Sequence, residues 1–276
     1  MQTGRARSGE LSIHYRRSGR PGGTPLLIAH GLSYFSYDWL PVAAELGSDR
    51  EVAAIDMRGF GDSDWSATQD YSVPSMGADV VAVLDHLHWP RACLIGHSMG
   101  GRSTTYAAAK HAGRVAALVL VDYSPENART GSERVARTVA NTPERFANVE
   151  EALRYFGHSD HARMQAYLRA DGRIKRDPYF REQFKRLLEM GERPKLGADM
   201  WQLIGEVRCP ILSLRGAHSD MYAPETAAKM RAANARLQVV EVDAGHNIAG
   251  DNPAAFVTAV KAFLSRLETE DANQRH

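Results

Sequence analysis

The sequence is short of nearly every feature that would assign it to a special class. Two cysteines among 276 residues, Cys93 and Cys209, cannot build a disulfide framework. Both stand in apolar, strand-like runs, so reduced core thiols and a cytoplasmic setting are expected. No apolar run approaches the roughly twenty residues that a membrane-spanning helix needs, so no membrane partner is expected. Neither sign of charge dominates: 34 basic and 33 acidic residues leave a net charge of +1. Mixed charge of this kind argues against nucleic acid and against an anionic membrane surface. The first twenty residues hold five arginines and one glutamate, yet Leu11-Ser12-Ile13-His14-Tyr15 alternates like a β-strand and no apolar targeting core is present. Repeats and low-complexity runs are lacking, and Glu268 to His276 reads as a frayed tail. What remains is ordinary. A chain with 43% hydrophobic and 24% charged residues suits one large α/β domain with a sizeable core.

Short apolar, β-branched runs alternate with helical patterns. Pro25 to Ala29, Glu51 to Ile55, Arg91 to Ile95, Val115 to Val121, Pro210 to Leu214 and Leu237 to Val242 read as strands. Ser36 to Leu46, Ser75 to Leu87, Ser98 to Lys110, Pro224 to Ala233 and Pro253 to Leu267 read as helices. Val80, Val83, Leu84 and Leu87 show the spacing of three and four that makes one helix face apolar. Such alternation implies parallel strands with helices on both faces, and functional groups in loops at the strands' carboxyl ends. One stretch breaks the rhythm. Residues 125–205 show helical pieces only, among them Val149 to Phe156, Ala162 to Leu168 and Tyr179 to Met190. Strands resume at Cys209, so this stretch is expected to be a helical cap on a core built from residues 1–124 and 206–276.

Chemistry is expected where Ala92-Cys93-Leu94-Ile95 runs into Gly96-His97-Ser98-Met99-Gly100-Gly101. A strand ending in a tight turn, with a helix after it, exposes the Ser98 hydroxyl beside helix amides that favour negative charge. Positions 96 and 100 need small residues because larger ones would crowd the turn. A serine needs a general base, and that base needs an acid to fix its tautomer. His246, in Asp243-Ala244-Gly245-His246-Asn247 after a strand, is the best base. His97 is expected to pack away from the hydroxyl, and His30 to organise its own loop. His158 and His161 are three residues apart but have no third ligand, so no metal site is expected. Two carboxylates can serve as the acid. Asp220 follows the strand Pro210 to Leu214, and Asp122 ends the strand Val115 to Val121. The order Ser, Asp, His favours Asp220. Oxyanion donors are expected from the Met99 amide and from the Leu32 amide in His30-Gly31-Leu32.

These residues together resemble the α/β-hydrolase family, over nearly the whole chain from Leu11 to about Leu267. The likeness rests on His30-Gly31, Asp56-Met57-Arg58-Gly59-Phe60-Gly61-Asp62-Ser63, the Ser98 turn, Leu214-Arg215-Gly216 with Asp220 and Pro224, and Gly245-His246. It implies an eight-stranded, mostly parallel sheet, a helical lid inserted after the sixth strand, and Ser98, His246 and Asp220 as a triad. It also implies that Asp56 and Arg58 brace the loop around the site. Asp220 stands one residue further from Gly216 than in many relatives, which keeps Asp122 in play. Serine at position 98 separates the chain from relatives that use aspartate there to form alkyl esters.

The resemblance implies a serine esterase, near the small esterases and cofactor-free haloperoxidases, acting on a small and mainly apolar ester or lactone without metal or organic cofactor. Cleavage of carbon–carbon bonds or amides, and peracid formation, are the alternatives with the same triad. A ligand receptor that catalyses little is the non-enzymatic one. Tyr34, Phe35, Tyr123, Trp201, Met221 and Ile248 are the expected pocket lining. The sequence carries no signal for an oligomeric state.

Overall fold

The computed structural model describes residues 1–273. Its strands are β1 (Gln2–Ser8), β2 (Leu11–Gly19), β3 (Leu26–Ala29), β4 (Glu51–Ile55), β5 (Ala92–His97), β6 (Val115–Val121), β7 (Ile211–Gly216) and β8 (Leu237–Val242). They form one eight-stranded sheet in the order β1-β2-β4-β3-β5-β6-β7-β8. β1 and β2 form an antiparallel hairpin, β2 lies antiparallel to β4, and every remaining pairing is parallel. β3, β5 and β6 are continuous apolar runs, as strands covered on both faces must be.

Helices α1 (Leu40–Leu46), α2 (Val73–His86) and α3 (Met99–Lys110) follow β3, β4 and β5. Between β6 and β7 the chain forms α4 (Arg129–Asn141), α5 (Val149–Phe156), α6 (His161–Tyr167), α7 (Pro178–Met190) and α8 (Met200–Glu206). α9 (Pro224–Ala233) joins β7 to β8, and α10 (Ile248–Asp251) and α11 (Pro253–Asn273) follow β8. Local chemistry sets several ends. Asp177 caps α7 through the Tyr179 amide, Pro178 occupies its first turn, and left-handed Gly191 (φ 73°) stops it.

Alternation along the strands splits the core in two. Leu27, Ala29, Leu94, Leu118 and Leu120 face α2, α3, α8 and α9. Leu26, Ile28, Cys93, Ile95 and Val119 face α1 and α11, whose Val42, Leu46, Phe256 and Phe263 cover them. Burying a side chain such as Phe256 contributes about 2 kcal/mol. A third, smaller cluster of Phe146, Leu153, Met164, Tyr167 and Ile174 belongs to the helical insertion and takes in Phe35 from the sheet side. Backbone bonds fasten the insertion to the loop after β4: Gly61 N–H to the Lys175 carbonyl and Asp177 N–H to the Gly59 carbonyl, both 2.7 Å. Arg163 also pairs with Asp38.

Three details depart from expectation. β1 was not anticipated, since only Ala6 and Ser8 are buried on this polar edge strand. α8 lies in the insertion by sequence, yet Met200, Leu203 and Ile204 join the sheet's own core. α11 runs on to Asn273, and Arg50 donates to Glu268 at 2.8 Å, so residues 268–273 are not a frayed tail. The last three residues of that expected tail lie outside the described residues.

Candidate active site

Ser98 sits between β5 and α3 with φ 48° and ψ −111°, a backbone conformation that side-chain-bearing residues rarely adopt. The turn is locked on both sides: Ser98 N–H donates to the Val121 carbonyl at 3.1 Å, and Gly101 N–H to the Ser98 carbonyl at 2.9 Å. Gly100 makes the turn possible, because a methyl there would stand 2.7 Å from the His30 carbonyl oxygen. Gly31 brings the loop after β3 against it. A methyl at Gly31 would stand 2.7 Å from His97 Nδ1 and 3.3 Å from Ser98 Cβ.

The His246 ring donates from Nδ1 to Asp122 Oδ2 at 2.6 Å. Asp122 is buried at the end of β6, itself in a left-handed conformation (φ 42°). Its Oδ1 accepts the Gly216 amide at 2.9 Å, and its Oδ2 also accepts the Ser219 hydroxyl. The expected acid, Asp220, is elsewhere. Its two oxygens accept Arg134 Nε and Nη2 at 2.6 and 2.8 Å. That pairing holds the Asp220 carboxyl below its usual range. The cause is local. Ser219 turns inward to Asp122 and accepts the Met221 and Tyr222 amides, while Gly131 N–H binds the Asp220 carbonyl. The loop after β7 therefore presents Asp220 outward to α4, and the carboxylate on His246 is Asp122.

Two histidines brace the site. His97 Nε2 donates to the His246 carbonyl at 3.0 Å, with the two rings 4.8 Å apart. Burial, and then the neighbouring His246, push the pKa of His97 well below 6.5. His30 accepts the Met57 amide on Nε2 at 3.0 Å and donates from Nδ1 to the Gly31 carbonyl at 2.7 Å. Its pKa too is lowered by burial. Tyr34 N–H binds the same Gly31 carbonyl at 3.2 Å. A trans peptide points its N–H opposite to its carbonyl, so fixing the Gly31 oxygen also fixes the Leu32 amide.

Asp56 accepts His14 Nδ1 and the Ser36 and Asp62 amides at 2.7–3.0 Å. Burial raises its pKa, but the His14 and Asp62 bonds outweigh this and pull it down to about 2. Arg58 grips Asp79 with two bonds of 2.6 and 2.7 Å. Both residues brace loops and neither lines the cavity described next. His14, Asp56 and Asp62 are the one grouping of metal-ligand type among the described residues. Lys175 already donates to Asp62, and the Asp56 oxygens hold His14 and two amides.

A cavity of about 1290 Å³ opens over Ser98, walled by Leu32, Met99, Met76, Met221 and residues of α4 and α7. Leu32, distant in sequence, meets Ser98 and Met99 on it. Of the six expected lining residues only Met221 does so. Phe35 is buried in the insertion's core, and Ile248 in the core under α11. Tyr123 lies inside the sheet core, and Trp201 packs half-buried on its edge. Tyr34 stacks edge-on to His97 at 5.2 Å. Burial, with Asp38 adding, pushes the Tyr34 phenol up to about 12. The missed lining comes from α4 and α7, including Ala136, Phe184 and Leu187, and from residues 69–76 and 193–197. Chain neighbourhood to a motif could not reveal them, and the helical pattern of Tyr179 to Met190 did not say which face meets the cavity.

Comparison with known proteins agrees with this fold. The family described as alpha/beta hydrolase fold matches residues 24–253. The chain belongs to that family and is a hydrolase of that fold. It is 30% identical to the 3-hydroxybutyrate-oligomer hydrolase of Cupriavidus necator, over 90% of this chain and 92% of that one. With the N-formylmaleamate deformylase of Pseudomonas putida it shares 27% identity, over 91% and 92% of the two chains. Its fold matches the crystal structure of E-2-(acetamidomethylene)succinate hydrolase with a TM-score of 0.83 at 23% identity, covering 96% of this chain and 99% of that one.

Proposed function

We propose that this chain is a serine hydrolase that opens a carboxylic ester or lactone of a small substrate through an acyl-enzyme on Ser98. The observation that carries this reading is the 2.6 Å contact between His246 Nδ1 and Asp122, at the sheet edge that also presents Ser98. With Nδ1 donating to Asp122, the Nε2 lone pair of His246 is the base that takes the Ser98 proton. Ser98 attacks the carbonyl carbon. The Leu32 and Met99 amides stabilise the oxyanion, each worth roughly 3 kcal/mol of barrier. His246 returns the proton to the leaving alcohol, Asp122 stabilises the imidazolium, and water repeats the cycle on the acyl-enzyme. The helical insertion serves as the lid, and its α4 and α7 walls select the acyl or alcohol part.

A relative named for 3-hydroxybutyrate oligomers, whose units are joined by esters, supports ester cleavage. The deformylase supports a second reading, amide hydrolysis by the same groups. Both are tested together. Purified Ser98→Ala should lose turnover of p-nitrophenyl butyrate and labelling by a fluorophosphonate. Wild-type-like activity in that variant overturns the nucleophile. A matched ester and amide with one acyl group then separate the readings: faster amide turnover sinks the ester assignment.

A further inference from the structure

Arg102 lies four residues after Ser98 on α3, and both side chains line the same cavity. Ser98 caps α3 and Arg102 lies in its first turn, about 6 Å further along the axis. A helical side chain also leans toward its N-terminus, here toward the serine. Arg102 is half-buried, and among the described residues no carboxylate lies within ion-pair distance of it. Burial lowers its pKa.

The acids of the cavity wall are engaged elsewhere. Glu126 pairs with Lys229 and Glu133 with Arg129, both at 2.7 Å, and Asp70 accepts Ser75 and the Ser72 amide. The same cavity wall also carries apolar Leu32, Met76, Met99 and Met221. A partly desolvated cation without a counter-ion carries part of the burial cost, and a ligand that brings the missing charge recovers it. Three further bases on the rim, Arg137, Arg193 and Lys195, are exposed and reinforce the same sign.

We propose that Arg102 is the anchor for a carboxylate carried by the substrate, so that the enzyme prefers an ester or lactone bearing a free acid a few methylenes from the scissile carbonyl. This rests on the serine-hydrolase reading for its turnover but not for its binding. A planar guanidinium engages a carboxylate by two parallel bonds, which also orients the carbonyl over Ser98.

The test pairs mono-p-nitrophenyl glutarate, which keeps a free carboxylate, with neutral p-nitrophenyl valerate. Wild type should favour the glutarate. Arg102→Met should lower the glutarate-to-valerate ratio of kcat/KM about 10- to 100-fold, chiefly through KM. Arg102→Lys should lower it less, since it keeps the charge without the fork. An unchanged ratio in either folded variant, or a wild-type preference for valerate, overturns the anchor. Calorimetric titration of glutarate into Ser98→Ala and into Ser98→Ala/Arg102→Met reads binding without turnover. At least about tenfold weaker binding by the double variant supports the anchor, and equal or absent binding by both overturns it. Loss of ester turnover in every protein, with glutarate still held through Arg102, would sink the serine-hydrolase reading and leave the anchor standing.

Discussion

Arg134 on α4 grips Asp220 with two bonds of 2.6 and 2.8 Å, and so withdraws from the sheet edge the carboxylate that stands nearest the expected place in chain order. Asp122, from the preceding strand, occupies the position on His246 instead. Both carboxylates follow parallel strands, so topology alone permits either. The choice is made by one loop, where Ser219 turns in and Asp220 turns out.

The two carboxylates should therefore separate sharply on mutation. Asp122→Asn removes the charge that stabilises the imidazolium and is expected to lower kcat by roughly 10³- to 10⁴-fold. Asp220→Asn breaks a partly exposed ion pair, worth about 1 kcal/mol at most. Its kcat should stay within about tenfold of wild type. Steady-state rates on one p-nitrophenyl ester check both, and the reverse order would restore Asp220 as the acid.

Much of this was legible beforehand, because covered parallel strands write themselves as apolar runs. β3, β5 and β6 are such runs, β4, β7 and β8 carry shorter apolar stretches, and Ser98 and His246 follow β5 and β8. β1 escaped because Gln2–Ser8 is an edge strand with arginines on its open side, where burial leaves almost no pattern. α4 escaped because Arg129–Asn141 mixes arginine, threonine and glycine, and only Ala136, Val139, Ala140 and Gly131 are buried. Asp122 was visible as an alternative, but its preference depends on a positive φ and on Ser219, both products of tertiary folding. The pocket lining failed for a related reason. Aromatic residues beside motifs, such as Phe35 and Tyr123, fill the core, while the cavity is walled by helices distant in sequence.

Stability should fall on mild acidification, before ordinary carboxylates titrate. His30 and His97 both have pKa values below 6.5 in the folded protein, each lowered by burial. The unfolded chain then binds protons that the folded chain does not, so folding stability drops as pH falls below about 6.5. Each histidine contributes a slope approaching about 1.4 kcal/mol per pH unit until its folded pKa is reached. Urea midpoints between pH 7 and 5 measure it, and His97→Gln should flatten the slope. A midpoint independent of pH across that range contradicts the buried neutral state. At lower pH Asp56 adds a second loss: its pKa falls from 3.8 to about 2 on folding, so its contribution of about 2 kcal/mol is present above pH 4 and disappears toward pH 2.

His30 should matter to rate more than to affinity. Its Nδ1–H fixes the Gly31 carbonyl at 2.7 Å, and through that peptide the aim of the Leu32 amide. His30→Asn is expected to lower kcat about 10- to 100-fold with KM changed less than threefold, because the oxyanion exists only after attack. A matching rise in KM with kcat intact would instead mark His30 as a residue of substrate binding alone.

Chain-length preference should answer to α7. Leu187, on α7, is half-buried on the wall of the cavity that Ser98 also lines. It belongs to none of the buried core clusters, so enlarging it changes the chamber more than the fold. Leu187→Trp adds several ring atoms to a space of about 1290 Å³ and is expected to shorten the acyl chain it admits. The kcat/KM for p-nitrophenyl octanoate should fall roughly tenfold relative to p-nitrophenyl acetate, since one or two displaced methylenes are worth about 1–3 kcal/mol. The acetate rate itself reports the Ser98 end and should move little. If both esters slow equally, α7 acts on the catalytic residues and not on the acyl chain, and the cavity wall assigned to it is not the acyl site.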